Sequence, residues 1–227
     1  MRVLPGQATR LPPGPTPVTR EQAPVEQRER IILAAANLMA KRGFHNTTIE
    51  LIVRRAKVGY ATFYKNFADK EELFLAIFDF FGAEVRRNVL EAVSAKADAP
   101  WTDQVAVGLR ALYSLIAEHP GPARVCLVES LSAGPTGAAR YETSLRNFTP
   151  LLRPGRKLRP GRSALPDTLE STLVGAVFWI AYQRLLVGEA DKLMGLLPEA
   201  IELVLSPYVG EVEAVEVAER FAAAEQV

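Results

Sequence analysis

Between Thr47 and Glu72 the sequence encodes two helices too short to stand alone. Thr47-Thr48-Ile49-Glu50 has the spacing of a capping box, with the Thr47 hydroxyl on the Glu50 amide and Glu50 reaching back. Ile49, Ile52, Val53 and Ala56 then recur at helical spacing. Lys57-Val58-Gly59 is a tight connection, and Tyr60 to Phe67 fits one further short helix. Asp69-Lys70-Glu71-Glu72 is a second capping box, opening a long helix with Leu73, Ile77, Phe78, Phe81, Val85 and Val89 as its buried stripe. Isolated helices below ~12–15 residues are marginal in water. The short pair must therefore be wedged between longer neighbours, which is the helix-turn-helix arrangement.

The longer neighbour upstream is legible too. Ile31, Ile32, Ala35, Leu38 and Met39 mark a helix from about Glu26 to Arg42. Gly43 suits the left-handed position after it, and Phe44 can fold back on it. Residues 1–24 hold six prolines and read as a Pro-rich disordered tail. The expected organisation is that tail, a DNA-binding domain over 25–72 and a helical body over 73–227. In the body the pattern predicts helices over Trp101–Glu118, Ala123–Ser132, Gly137–Leu152, Leu165–Val187, Lys192–Leu205 and Glu211–Ala224. His119-Pro120-Gly121-Pro122 and Gly134-Pro135 are read as stops, and 153–166 as a basic Pro/Gly linker. No sustained period-two alternation interrupts them, so the fold class is all-α.

Charge separates the two parts. Residues 20–70 carry ten basic side chains against five acidic ones, whereas 71–227 carry 15 against 21, within a net charge of +1. A basic segment on an acidic body points to a polyanionic partner for one part only. A single cysteine, Cys126, excludes a disulfide scaffold, and with only His45 and His119 beside it no Cys/His zinc cluster assembles. No metal or cofactor is expected. Arg2 and Arg10 precede no apolar signal region, and Leu173–Tyr182 is about half the length of a membrane span. The chain reads as soluble, cytoplasmic and without a membrane partner.

On the second short helix, Phe63 and Phe67 are the core anchors, with Val58 in the turn. Tyr60, Ala61, Thr62, Tyr64, Lys65 and Asn66 are left for the exposed side. Hydroxyls and a lysine bond phosphates, Tyr60 and Thr62 reach base edges or thymine methyls, and Gly59 and Ala61 permit close approach to a groove. Helix starts near Thr47, Thr48 and Lys70 offer amides to phosphates. His45 is a loop residue beside them.

Residues 28–78 resemble the DNA-binding domain of the TetR (tetracycline-repressor-like) family of transcription regulators. The matching stretches are Arg42-Gly43-Phe44, Thr47-Thr48-Ile49, Ala56 to Phe67, and Asp69 to Leu73. The resemblance implies a homodimer that binds a palindromic operator and releases it when a small molecule occupies the body. It implies DNA contacts from Thr48, Tyr60, Thr62, Tyr64, Lys65 and Lys70. Gly59 stands where the family usually has Ser or Thr as the cap of the recognition helix, and Tyr60 where Lys or Arg is frequent.

Leu169–Val187 is apolar almost all round, so one face meets its own core and the other a partner helix. It and Lys192–Leu205 are the expected dimer contact. For a mostly apolar small-molecule effector the candidates are Trp101, Arg110, Tyr113, Cys126, Glu129, Phe178, Trp179, Tyr182 and Gln183, with the aromatics also readable as core. The helix from Asp69 to Ala95 would carry the signal as a rigid rod. Cys126 also reads as a small buried hydrophobe and His119 as a helix-end residue. The basic linker, with Arg153, Arg156, Lys157, Arg159 and Arg162, reads as a solvated loop or as an extra DNA contact. Two other classes fit an all-α chain: an adaptor that holds protein with the same hairpin, and a carboxylate-based enzyme. No nucleophile elbow, phosphate-binding glycine loop or metal-ligand set supports the enzyme.

Overall fold

The computed structural model of the chain describes residues 22–130, 134–158 and 165–223. Helix α1 (Gln22–Arg42) starts about four residues before the sequence pattern placed it. Residues 1–21 of the expected tail, together with Arg159 and Arg162 of the expected linker, lie outside the described residues. Gly43 follows α1 with φ +78°, the left-handed geometry that ends the helix, and its amide bonds the Met39 carbonyl at 2.8 Å. Phe44 then folds into the core, 4% exposed.

Helices α2 (Ile49–Ala56) and α3 (Tyr60–Asn66) are the short pair. Helix α4 (Lys70–Ser94) follows; its 25 residues make a rod of about 37 Å. Asp69 caps it, accepting from the Glu72 amide at 2.7 Å, and the Glu72 carboxylate returns to the Ala68 amide at 2.6 Å. One hydrophobic core runs unbroken from Ile31, Met39 and Phe63 through Phe74 and Phe78 into the body, so the N-terminal unit is fused to the rest through α4.

The body contains α5 (Trp101–Glu118), α6 (Pro120–Leu127), α7 (Gly134–Arg146), α8 (Thr149–Leu152), α9 (Leu169–Leu186), α10 (Leu197–Val209) and α11 (Glu211–Ala223). Helix α4 packs on α5 and α6, α6 also packs on α1, and α10 on α11. The fold is all-α, with no strand among the described residues. No described helix is long and apolar enough to cross a membrane.

Several boundaries differ from expectation for local reasons. Pro120 does not stop a helix but starts α6, because proline is preorganised for the first helical position. The expected Gly137–Leu152 helix breaks after Arg146, and Pro150 opens the short α8. Residues Arg153–Leu158 form a 3-10 segment rather than a solvated loop, and Arg156 turns inward. Its guanidinium forks onto Glu170, which is 5% exposed, and also donates to the carbonyls of Leu165 and Pro166. The expected Lys192 helix start is a pair of 3-10 turns leading into α10.

Candidate nucleic-acid interface and ligand chamber

The turn between α2 and α3 is made by Lys57, which ends α2 at φ +55° and ψ +47°, with the Val58 amide on the Val53 carbonyl at 3.0 Å. Gly59 then caps α3 with extended backbone and no side-chain bond. Phe63 and Phe67 are fully buried, with ring centroids 5.9 Å apart, and the Arg28 guanidinium lies 4.8 Å from the Phe67 ring centre. Locking this face inward forces the opposite one out. Tyr60 is 51% and Tyr64 56% exposed, with Ala61 and Lys65 exposed beside them. Thr62 is half-buried. Asn66 bends back to donate to the Thr62 carbonyl at 2.8 Å.

Thr47 and Thr48 exchange the roles read from sequence. Thr48 is the cap of α2, accepting from the Leu51 amide at 3.3 Å, and is exposed. Thr47 is fully buried, and its hydroxyl donates to the Gly43 carbonyl at 2.9 Å. It therefore ties α2 to the end of α1 and presents nothing to a ligand. The capping box shifts by one residue, which places Leu51 rather than Glu50 at its third position. Lys70 is turned inward as well: its Nζ donates to the Phe44 carbonyl at 2.9 Å and sits 4.3 Å from the centre of the Phe44 ring. In this arrangement its ammonium braces the junction of α1 and α4 instead of projecting to a phosphate.

The body holds a partly open apolar chamber of about 180 Å³ between α4, α5, α8, α9 and α10. Its walls include Val89, Trp101, Gly108, Leu152, Val174 and Phe178, and Gln104 is a rare polar side chain among them. Trp101 closes one end, held by a 3.0 Å bond from Nε1 to the Leu151 carbonyl. Gly155 lies flat against its indole, so close that a Cβ there would come within 2.3 Å of the ring. Of the nine residues named from sequence, Trp101 and Phe178 reach this chamber. Cys126 faces a second cavity, and burial pushes its thiol well above the ordinary range, which keeps it neutral.

The other six are elsewhere. Tyr113 is buried and donates to the Val177 carbonyl at 3.2 Å. Arg110 donates to the Phe221 carbonyl at 3.0 Å and stacks on its ring, which fastens α11. Glu129 accepts the Phe44 amide at 3.1 Å, at the contact between body and N-terminal unit. Trp179, Tyr182 and Gln183 lie on the outward side of α9, where Trp179 is 56% exposed and stacks on Tyr182 at 5.1 Å. The chamber's aliphatic walls and its cover at Leu151, Leu152 and Pro154 are absent from the sequence reading, because aliphatic residues at helical spacing carry no mark that separates cavity wall from core.

Residues 31–77 match the model of bacterial regulatory proteins of the tetR family. The chain is 38% identical over 63 residues to the HTH-type transcriptional regulator YdgC of Bacillus subtilis, covering 28% of this chain and 32% of that protein. It is 37% identical over 76 residues to the HTH-type transcriptional regulator HbdR of Aromatoleum sp., covering 32% of this chain and 33% of the relative. The matched stretch thus spans about a third of the length of these curated relatives. The fold extends further. The crystal structure of the transcriptional regulator FadR from Bacillus subtilis, in complex with stearoyl-CoA, superposes with a TM-score of 0.67 at 20% identity, over 78% of this chain and 97% of that one.

Proposed function

Because residues 31–77 match the model of bacterial regulatory proteins of the tetR family, we propose that the whole chain is a cytoplasmic transcription regulator, a repressor that binds a palindromic operator as a homodimer and leaves it when a mostly apolar small molecule enters the body. The observation that carries this reading is the outward face of α3. Tyr60, Ala61, Tyr64 and Lys65 stand exposed on a helix whose other face is locked by Phe63 and Phe67. Small, hydroxyl-bearing and cationic groups on a rigid protruding helix suit a major groove.

The outward side of α9 and α10 supports the dimer. Trp179, Leu186, Val187 and Leu203 are between 41% and 65% exposed there, an apolar surface of the kind that two-fold partners cover. The chamber supports the effector, and the stearoyl-CoA complex of FadR is a case of this fold holding a ligand with a long apolar part. Two recognition helices of a dimer enter successive major grooves about 34 Å apart, or a multiple of that. By linkage, an effector that releases DNA binds the DNA-free dimer more tightly, typically by about 1–3 kcal/mol.

Selection of bound sequences from random duplex DNA tests the reading. It is expected to return a palindrome. Recovery of a single asymmetric half-site with full affinity, or of no preferred sequence, would overturn it.

A further inference from the structure

Two cavities lie back to back in the body, separated by one pair of rings. Beside the apolar chamber, a second cavity of about 260 Å³ lies between α4 and α7. Phe148 and Phe178 line both, with ring centroids 5.7 Å apart and planes tilted by 45°. Phe178 is 7% exposed and fixed on α9. Phe148 is half-buried on the short connection between α7 and α8, where a ring can turn aside without breaking a helix.

The second cavity differs in chemistry at its rim. Helix α7 and the residue after it supply Arg140, Ser144 and Asn147, at intervals that place them on one face, and α4 supplies Asp79 and Arg86 at an interval of two turns. Asp79 and Arg140 pair at 2.6 Å. Arg86 is exposed and has no carboxylate partner among the described residues, which leaves one guanidinium fork open at the mouth of a cavity whose floor is apolar.

We infer that the two cavities form one bipartite ligand site, and that the effector is an amphipathic carboxylic acid. Its carboxylate lies on Arg86, within reach of Ser144 and Asn147, and its apolar group lies behind Phe148 and Phe178 in the inner chamber. The inference rests on the regulator reading above and adds the class of ligand. A planar guanidinium matches a carboxylate with two parallel bonds, which an alcohol or amine cannot form. An apolar cavity of roughly 150 Å³ admits benzene, so an inner chamber of about 180 Å³ suits a ring or a short alkyl chain. The carboxylate would bridge α4 and α7, and α4 is the rod that ends at the DNA-binding unit.

Calorimetric titration of the full chain with octanoate and phenylbutyrate, and with the alcohols of the same skeletons, tests this. The acids are expected to bind roughly tenfold more tightly than the alcohols, the worth of a charge-assisted bond. Arg86→Gln is a surface change that should bring the acids to the level of the alcohols and leave the alcohols unaffected. Val174→Phe, checked for folding by circular dichroism, fills the inner chamber and should weaken acids and alcohols together. The proposal is overturned if none of the four compounds binds, if acids and alcohols bind alike, or if Arg86→Gln leaves acid binding unchanged. Operator binding measured in parallel separates the two readings. A chain that binds its selected operator but neither acid loses the bipartite site alone, whereas one that takes the acids and binds no DNA loses the regulator reading.

Discussion

The Glu129 carboxylate accepts the backbone amide of Phe44 at 3.1 Å, joining residues 85 apart in sequence. The other side of the same residue is held too, since the Phe44 carbonyl accepts Lys70 at 2.9 Å. Phe44 thus sits where the end of α6, the end of α1 and the start of α4 meet. A displacement of α6 or α4 would be felt at this residue, one turn of chain from the cap of α2.

Glu129→Ala should leave a partly buried amide without its acceptor, at a cost of about 1–2 kcal/mol in unfolding free energy. Glu129→Gln keeps an acceptor and should recover most of it. Denaturant unfolding measures the stability, and hydrogen exchange reads the Phe44 amide directly. Unchanged protection of that amide in Glu129→Ala would mean that the contact carries no weight.

Lys65 and Thr47 should separate cleanly in DNA binding. Lys65→Ala is expected to weaken binding by a similar factor on every sequence and to lower the slope of log affinity against log salt by about 1. Thr47→Val removes the bond to the Gly43 carbonyl. It should lower stability without altering that slope. Fluorescence anisotropy over a salt series checks both, and a reduced slope in folded Thr47→Val would return Thr47 to the interface.

Gly155→Ala places a methyl against the Trp101 indole, where an ideal Cβ lies 2.3 Å from the ring. Forced overpacking of this kind costs about 1–3 kcal/mol. A lower denaturation midpoint is expected, together with a change in indole fluorescence as Trp101 is displaced. An unaltered midpoint would mean that the Arg153–Leu158 segment lifts away freely.

Glu170 makes a pH signature. The Arg156 guanidinium holds its carboxyl below the usual carboxylate range, and burial opposes this less strongly. A carboxyl with a lowered folded pKa stabilises the protein above its unfolded value and loses that contribution as pH falls through the folded one. The tie from Arg156 to Glu170 should therefore hold at neutral pH and fail only under acid conditions. Thermal melts from neutral to acid pH should show a steeper loss in the native protein than in Glu170→Gln. Parallel curves would remove Glu170 from the acid response.

The helix-turn-helix was legible because its signals are local: caps at fixed offsets, Gly43 after a periodic run, and two phenylalanines four residues apart. The error at Thr47 arose because adjacent threonines offer the same hydroxyl, and only the fold of Gly43 against α2 decides which one is buried. Lys70 reads as a surface cation until Phe44 arrives beneath it. The apolar circumference of α9 implies two buried faces but does not say which aromatic belongs to which: Phe178 and Trp179 are adjacent in sequence, yet the first is buried and the second exposed. Arg156 looked like one basic residue among several in a linker, because its partner Glu170 carried no sign that it would be buried.

The most direct test of the account is titration of the selected operator with the full chain over a range of salt concentrations, with stoichiometry read at saturation. The account predicts at least two protomers on each palindrome and a log affinity that falls linearly with log salt, with a slope showing that several phosphates are neutralised. A salt-independent affinity, or one protomer bound per palindrome at full affinity, would contradict it.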